Sequence, residues 1–146
     1  MRLMGVTVNE FSQDKLLSRS FLGLKAAVAL YVLAIPIAHV GLPQDWVWGV
    51  ALFFLLAMLG TYPLAALKQR SFLTTETVIS TGLAVAGIAG FWLSPVLIIG
   101  AIFGHGVWDL FKHNGFGTPF FRWYLTGCVI VDWIYAAALS VFLITS

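Results

Sequence analysis

The sequence predicts an all-α integral membrane bundle of five transmembrane helices, and three observations carry that expectation. Of the 146 residues, 60% are apolar and only 10% are charged, whereas soluble domains carry about 25% charged residues. Mean hydropathy is +0.95, and apolar runs recur at the ~20 residues needed to cross a hydrocarbon core. Lysine and arginine fall in alternate links between those runs, as the positive-inside rule expects. The length allows one membrane domain with no separate soluble domain. A formal charge of +2, carried in the links, argues against nucleic acid as a partner. The single cysteine, Cys128, lies in an apolar run and excludes an intrachain disulfide. There is no Walker, Rossmann, zinc-finger or HExxH pattern.

Residues 1–20 mix Arg2, Glu10, Asp14, Lys15 and Arg19 with Phe11, Leu16 and Leu17. This composition suits a cytoplasmic interfacial segment, with a short helix opening at Ser12. A cleaved signal peptide is not expected, because the leader is acidic in places and the next apolar run is long enough to span. The first span covers about 21–40, with Lys25 one turn inside, Pro36 as a possible kink and His39 near the far end. After GLPQD the second span, about 46–67, opens on the interfacial anchors Trp46 and Trp48 and closes near Tyr62 and Pro63. The third, about 72–93, carries Glu76 and a narrow small-residue stripe of Ser80, Ala84 and Gly87. Ser94 and Pro95 turn the chain into the fourth, about 95–111. A turn-rich loop with Asn114, Gly115 and Gly117 leads to Trp123, Tyr124 and the fifth span, about 124–144. There Cys128, Asp132, Ala136 and Ser140 recur at every fourth position and define a small, polar interior stripe.

Five spans place the termini on opposite sides. Arg2, Lys15, Arg19, Lys68, Arg70, Lys112 and Arg122 gather on one side, while the other holds Asp45 and no lysine or arginine. The expected orientation is therefore N-terminus in the cytoplasm and C-terminus outside. Depth follows from helix rise: Glu76 enters by roughly 7 Å and Asp132 by roughly 12 Å from the cytoplasmic interface. Asp109 is at a depth similar to Glu76, and His105 lies one turn deeper. Lys25 and Tyr62 approach the same layer.

Intramembrane ionisable groups are costly and normally face protein or water rather than lipid. In GAIFGHGVWDLFKH, residues 100–113, His105 and Asp109 share one helix face and His113 extends it. Gly100 and Gly104, one turn apart, offer a smooth face for close packing or a homo-oligomer contact. The fourth helix is expected to be central, with His105, Asp109, Asp132 and Glu76 in one site shared by spans three to five. Ordinary structural roles are open for several members. Asp109 and Lys112 have ion-pair spacing, Glu76 suits a helix N-terminus, and Lys25 can snorkel to the interface.

A histidine beside carboxylates in a low-dielectric layer is suited to moving protons. Trp108, Trp133, Tyr135 and Tyr62 lie at compatible depths to line a pocket for an apolar substrate, although each could equally fill the bundle. His105, Asp109 and Asp132, with Glu76 or His113, offer ligands for a divalent ion. The set lacks the several histidines of a catalytic zinc site, so the sequence assigns no metal and names no cofactor. The expected activity is binding or processing of a lipophilic small molecule in the membrane by acid–base steps. An ion- or proton-coupled transport component and an accessory subunit of a membrane complex are the alternatives. In residue types alone, the set is similar to that of intramembrane sterol isomerases of the emopamil-binding type. The stretch HGVWDLFKH, followed by RWY and Asp132, resembles a pattern in small multi-pass bacterial membrane proteins without an assigned reaction. The resemblance rests on His105, Trp108, Asp109, Trp123, Tyr124 and Asp132, and it implies a bacterial inner-membrane location.

Overall fold

A computed structural model describes residues 20–146, with side chains described from Gly23 onward. The interfacial helix expected before residue 20 lies outside the described residues. The described chain is helical, with helices at all five expected positions. The first, α1 (Ser20–His39), belongs to a unit of its own that ends at Val40. It contains Pro36, and the His39 ring closes its last turn by bonding through Nδ1 to the Ile35 carbonyl at 2.7 Å.

The second unit, Gly41–Ser146, holds α2 (Gln44–Gln69), α3 (Leu73–Leu93), α4 (Pro95–His113) and α5 (Arg122–Thr145). Among the described residues these four helices are long and apolar enough to cross a membrane. The expected spans fall inside them or within a residue or two of their ends. Their outward side chains, including Phe53, Val78, Trp92, Ile134 and Val141, are exposed and apolar. In water such a surface would drive association, but in lipid it is the ordinary exterior.

Helix α2 consists of Gln44–Leu59 and Thr61–Gln69, joined at Gly60, which keeps helical φ and ψ of −72° and −21°. Pro63 explains the break, because it has no N–H to offer the Leu59 carbonyl one turn back. Ala51, Leu55, Met58, Leu59, Tyr62 and Ala66 form the buried face, a stripe at helical spacing that runs through the break. Helix α3 is more peripheral, and among its residues only Glu76, Gly87 and Gly90 are buried. Gly87 lies against Leu52 and Leu55 of α2, as the small-residue stripe anticipates.

Helix α4 is central. It packs against α2, α3 and α5, and its buried stripe runs Ile98, Ala101, Ile102, His105, Gly106, Asp109, Lys112. Pro95 opens it at a position where a missing N–H costs nothing. Gly104 meets Leu83 of α3 within the chain, whereas a methyl group at Gly100 would meet open space. Half of the expected oligomer face is thus occupied internally. Helix α5 turns Leu125, Asp132, Tyr135, Ala136 and Leu139 inward. Ser140 is bonded to its own helix, donating to the Ala136 carbonyl at 2.7 Å.

The α2–α3 turn contains Arg70 and Phe72, both left-handed with φ of 53° and 55°. It touches the α4–α5 loop at the same end of the unit. Gln69 donates to the Pro119 carbonyl at 3.2 Å, and Thr118 Oγ1 donates to the Ser71 carbonyl at 3.3 Å. Exposed Lys68, Arg70 and Arg122 share this end. Lys112, counted with the loop charges in the sequence, is instead buried in the last turn of α4.

Candidate functional site

The buried polar groups of the second unit lie toward this basic end and form two adjoining clusters. In the first, His105 is 2% exposed, Asp109 0% and Asp132 3%. His105 Nδ1 lies 2.8 Å from Asp132 Oδ2 on α5 and 3.6 Å from Asp109 Oδ2 one turn along α4. The shorter contact is a hydrogen bond in which Nδ1–H donates to the Asp132 carboxylate. Tyr62 on α2 donates its hydroxyl to Asp109 Oδ1. The Tyr62 ring stacks on the His105 imidazole at 5.7 Å between centroids and 18° between planes. Three helices, α2, α4 and α5, therefore build one polar layer, whereas the sequence expects spans three, four and five.

A backbone feature allows the 2.8 Å contact. Gly106 follows His105, and a methyl group there would sit 2.7 Å from the Trp133 indole nitrogen and 3.2 Å from the Asp132 Cβ. Only a residue without a side chain lets α5 approach α4 this closely. Sequence reading passed over Gly106 in favour of Gly100 and Gly104. Its contacts, Trp133 and Asp132, lie on another helix, so no local pattern marks it.

The second cluster is centred on Glu76, which is 0% exposed. Its carboxylate accepts hydrogen bonds from the Lys112 ammonium, from Trp108 Nε1 at 3.0 Å and from the Thr118 backbone N–H at 2.7 Å. Charge-assisted donors satisfy both oxygens, so this pair is closed. The expectation that Glu76 would join His105 needs correction. Glu76 stands in the first turn of α3 opposite the last turn of α4, where a buried carboxylate is stable only with a cation beside it. Lys112 is that cation, so its suggested pairing with Asp109 is replaced. Gly117, at φ +72°, lets the loop close over the pair, since a methyl group there would lie 2.7 Å from Glu76 Oε1. The sequence marked Gly117 only as a turn residue. Lys112 Nζ also lies 4.2 Å from the centre of the Tyr62 ring, which links the two clusters.

The four aromatic candidates separate. Tyr62, 1% exposed, belongs to the hydrogen-bonded layer itself. Trp108 is committed to Glu76. Tyr135 is buried on the inner face of α5. Trp133 is 37% exposed and stacks on Phe103 at 5.3 Å, on the outer side of the α4–α5 seam. His113 is half-buried at the end of α4, and Cys128 lies beside Tyr124 rather than within the acid–histidine group.

Two atoms of the first cluster, His105 Nε2 and Asp109 Oδ2, are buried and take no hydrogen bond among the described residues. Buried polar atoms are normally satisfied, and exceptions are informative at functional sites. An imidazole held by a carboxylate at one nitrogen and uncommitted at the other is the arrangement of an oriented base. His105, Asp109 and Asp132 each offer a ligand atom, all within 4.8 Å of one another. No family model, curated protein or solved structure matches this chain.

Proposed function

We propose that this chain is a bacterial inner-membrane protein, N-terminus in and C-terminus out, that binds or acts on a lipophilic small molecule by intramembrane acid–base chemistry. The observation that carries the reading is the Asp132–His105 hydrogen bond, which orients the imidazole and leaves Nε2 without a partner among the described residues. In that arrangement Asp132 fixes the tautomer and steadies the imidazolium formed when Nε2 takes a proton. The Tyr62–Asp109 couple lies in the same layer and supplies a second proton-bearing group. Burial among helices with apolar exteriors favours a substrate that arrives through the bilayer.

The test is carbon-bound deuterium. Purified protein retaining its native lipophile is incubated in deuterium oxide, and the lipophile is analysed by mass spectrometry. Wild type is expected to install deuterium that survives return to ordinary water, and His105→Gln is expected to install none. Absence of an ordered lipophile, or equal incorporation by both proteins, would overturn the reading.

A second reading, a proton- or ion-coupled transport component, draws on charge. Lys112 and Glu76 cancel, so two carboxylates and one imidazole remain with a formal charge of −1 even when His105 is protonated. Such a group in a low-dielectric layer favours taking up a further proton or a cation. Proteoliposomes that acidify or alkalinise in response to an ion gradient, and fail to do so with Asp132→Asn, would favour this reading over the first.

A further inference from the structure

We propose that His105, Asp109 and Asp132 are the protein ligands of one divalent first-row transition-metal ion, of the kind represented by Zn²⁺ or Mn²⁺. The inference rests on the acid–base reading in one respect: it names a ligand for that same site.

Ligand spacing comes first. Metal–nitrogen and metal–oxygen bonds of ~2.0–2.2 Å put neighbouring ligand atoms about 2.9–3.6 Å apart, from right-angle to tetrahedral arrangements. His105 Nδ1 stands 2.8 Å from Asp132 Oδ2 and 3.6 Å from Asp109 Oδ2. Both edges match those of a coordination polyhedron to within about 0.1 Å. The third ligand pair also lies within 4.8 Å, so one ion can be reached by all three side chains from α4 and α5.

Charge points the same way. Two ionised aspartates and a neutral imidazole carry a formal −2, which one divalent cation cancels. A proton on His105 cancels half of it. Lys112, the one other buried cation among the described residues, is already held by Glu76. The unsatisfied atom is a further, independent indication. Asp109 Oδ2 belongs to a fully buried side chain, faces His105 and accepts no hydrogen bond among the described residues, whereas Asp109 Oδ1 is held by Tyr62. One oxygen fixed by an outer donor and the other left open is the pattern of a ligating carboxylate with its orienting partner. One nitrogen and two oxygens suit zinc, manganese or ferrous iron better than a soft thiolate-seeking ion. Three protein ligands leave at least one coordination position for water or a substrate oxygen. Binding at Nδ1 moves the ring hydrogen now shared with Asp132 to Nε2, so the imidazole ligates as the neutral tautomer and the His105–Asp132 hydrogen bond belongs to the ion-free state.

The experiment measures metal on the full chain, purified in mild detergent without chelator from cells grown with added zinc and manganese. Elemental analysis is expected to give about one ion per chain, and Asp109→Asn and Asp132→Asn are expected to lower affinity by at least about tenfold. His113→Ala, outside the cluster, should keep the ion. Because a variant could fail to fold, the wild type is also stripped and titrated with Co²⁺. A visible d–d absorption saturating at one equivalent, and displaced by Zn²⁺, is expected. Substoichiometric metal with no cobalt band would overturn the proposal, as would equal metal in wild type and both aspartate variants. Deuterium transfer by metal-free protein would remove the metal and leave the acid–base reading standing. One tightly held ion without deuterium transfer would do the reverse.

Discussion

Replacing His105 and Asp132 singly and together measures whether the central contact of the site is an energetic unit. Both side chains are nearly inaccessible, and their bond is 2.8 Å long. Removing one member of a buried charged pair costs on the order of 3–5 kcal/mol, mainly because its partner is left without compensation. The structure makes the two single losses unequal. In Asp132→Asn the imidazole still faces Asp109 Oδ2 at 3.6 Å, so a neighbouring carboxylate cushions the loss to about 1–3 kcal/mol. In His105→Ala both carboxylates lose their shared partner, and the upper figure of about 3–5 kcal/mol applies. The double variant has one fewer buried charge than His105→Ala, so its loss should be no greater than that of the histidine variant alone. A coupling of about 1–3 kcal/mol follows. Equilibrium unfolding in mild detergent, with the four proteins compared under one condition, reads it directly. Additivity within about 0.5 kcal/mol would show that the two residues do not act together, and the oriented-base reading would fall with it.

Three further outcomes follow from the surroundings of the site. Lys112→Met should destabilise the protein by about 3–5 kcal/mol by stranding Glu76, and adding Glu76→Gln should recover much of that loss, as denaturation midpoints of the single and double variants will show. Gly106→Ala should cost about 1–3 kcal/mol, because the new methyl group crowds the Trp133 indole and the Asp132 Cβ. It should also shrink the His105–Asp132 coupling in the same cycle, whereas an unchanged coupling would show that the α4–α5 approach does not set it. A periplasmic reporter fused after Ser146 should be active and a cytoplasmic one silent, and the reverse pattern would invert the depth order assumed for the site.

Helix positions were legible in this sequence because hydrocarbon thickness and apolar run length constrain each other tightly. The centrality of α4 was legible too, since His105, Asp109 and Lys112 cannot face lipid and so require neighbours on that side. Pairing was less legible. Glu76, Asp109 and Asp132 look alike in a sequence, and depth alone grouped them. What separated Glu76 was the reach of Lys112, whose long side chain turns back from the last helical turn into the protein instead of extending to the interface. Tyr62 looked like pocket lining because its depth matches that of the ionisable layer. Its hydroxyl instead ends on Asp109, a contact 47 positions distant along the chain that no local pattern encodes. Gly106 was hidden for a related reason. A glycine that permits close approach is identified by what lies opposite, and Trp133 and Asp132 belong to another helix.

The division into two clusters gives the site its chemical character. Glu76 and Lys112 neutralise one another, and Trp108 and Thr118 complete the carboxylate's hydrogen bonds. That pair ties α3, α4 and the following loop together without needing any ligand. Tyr62 lies between the clusters, with Lys112 over its ring and its hydroxyl on Asp109. Among the described residues the cation therefore makes no ion pair with the His105 group and acts on it only through its field, across the Tyr62 ring. Were Lys112 free to approach Asp109, the carboxylate would have a permanent counter-ion and little tendency to exchange protons or accept a metal. Because Glu76 holds the lysine, Asp109 and Asp132 share a single imidazole and the cluster keeps an excess of negative charge. The closed pair thus supplies the rigid frame, and its neutrality leaves the neighbouring group chemically unsaturated. Loss of Glu76 should consequently do more than loosen α3. It should release Lys112 toward Asp109 and quench the proton or metal affinity of the site even in protein that remains folded.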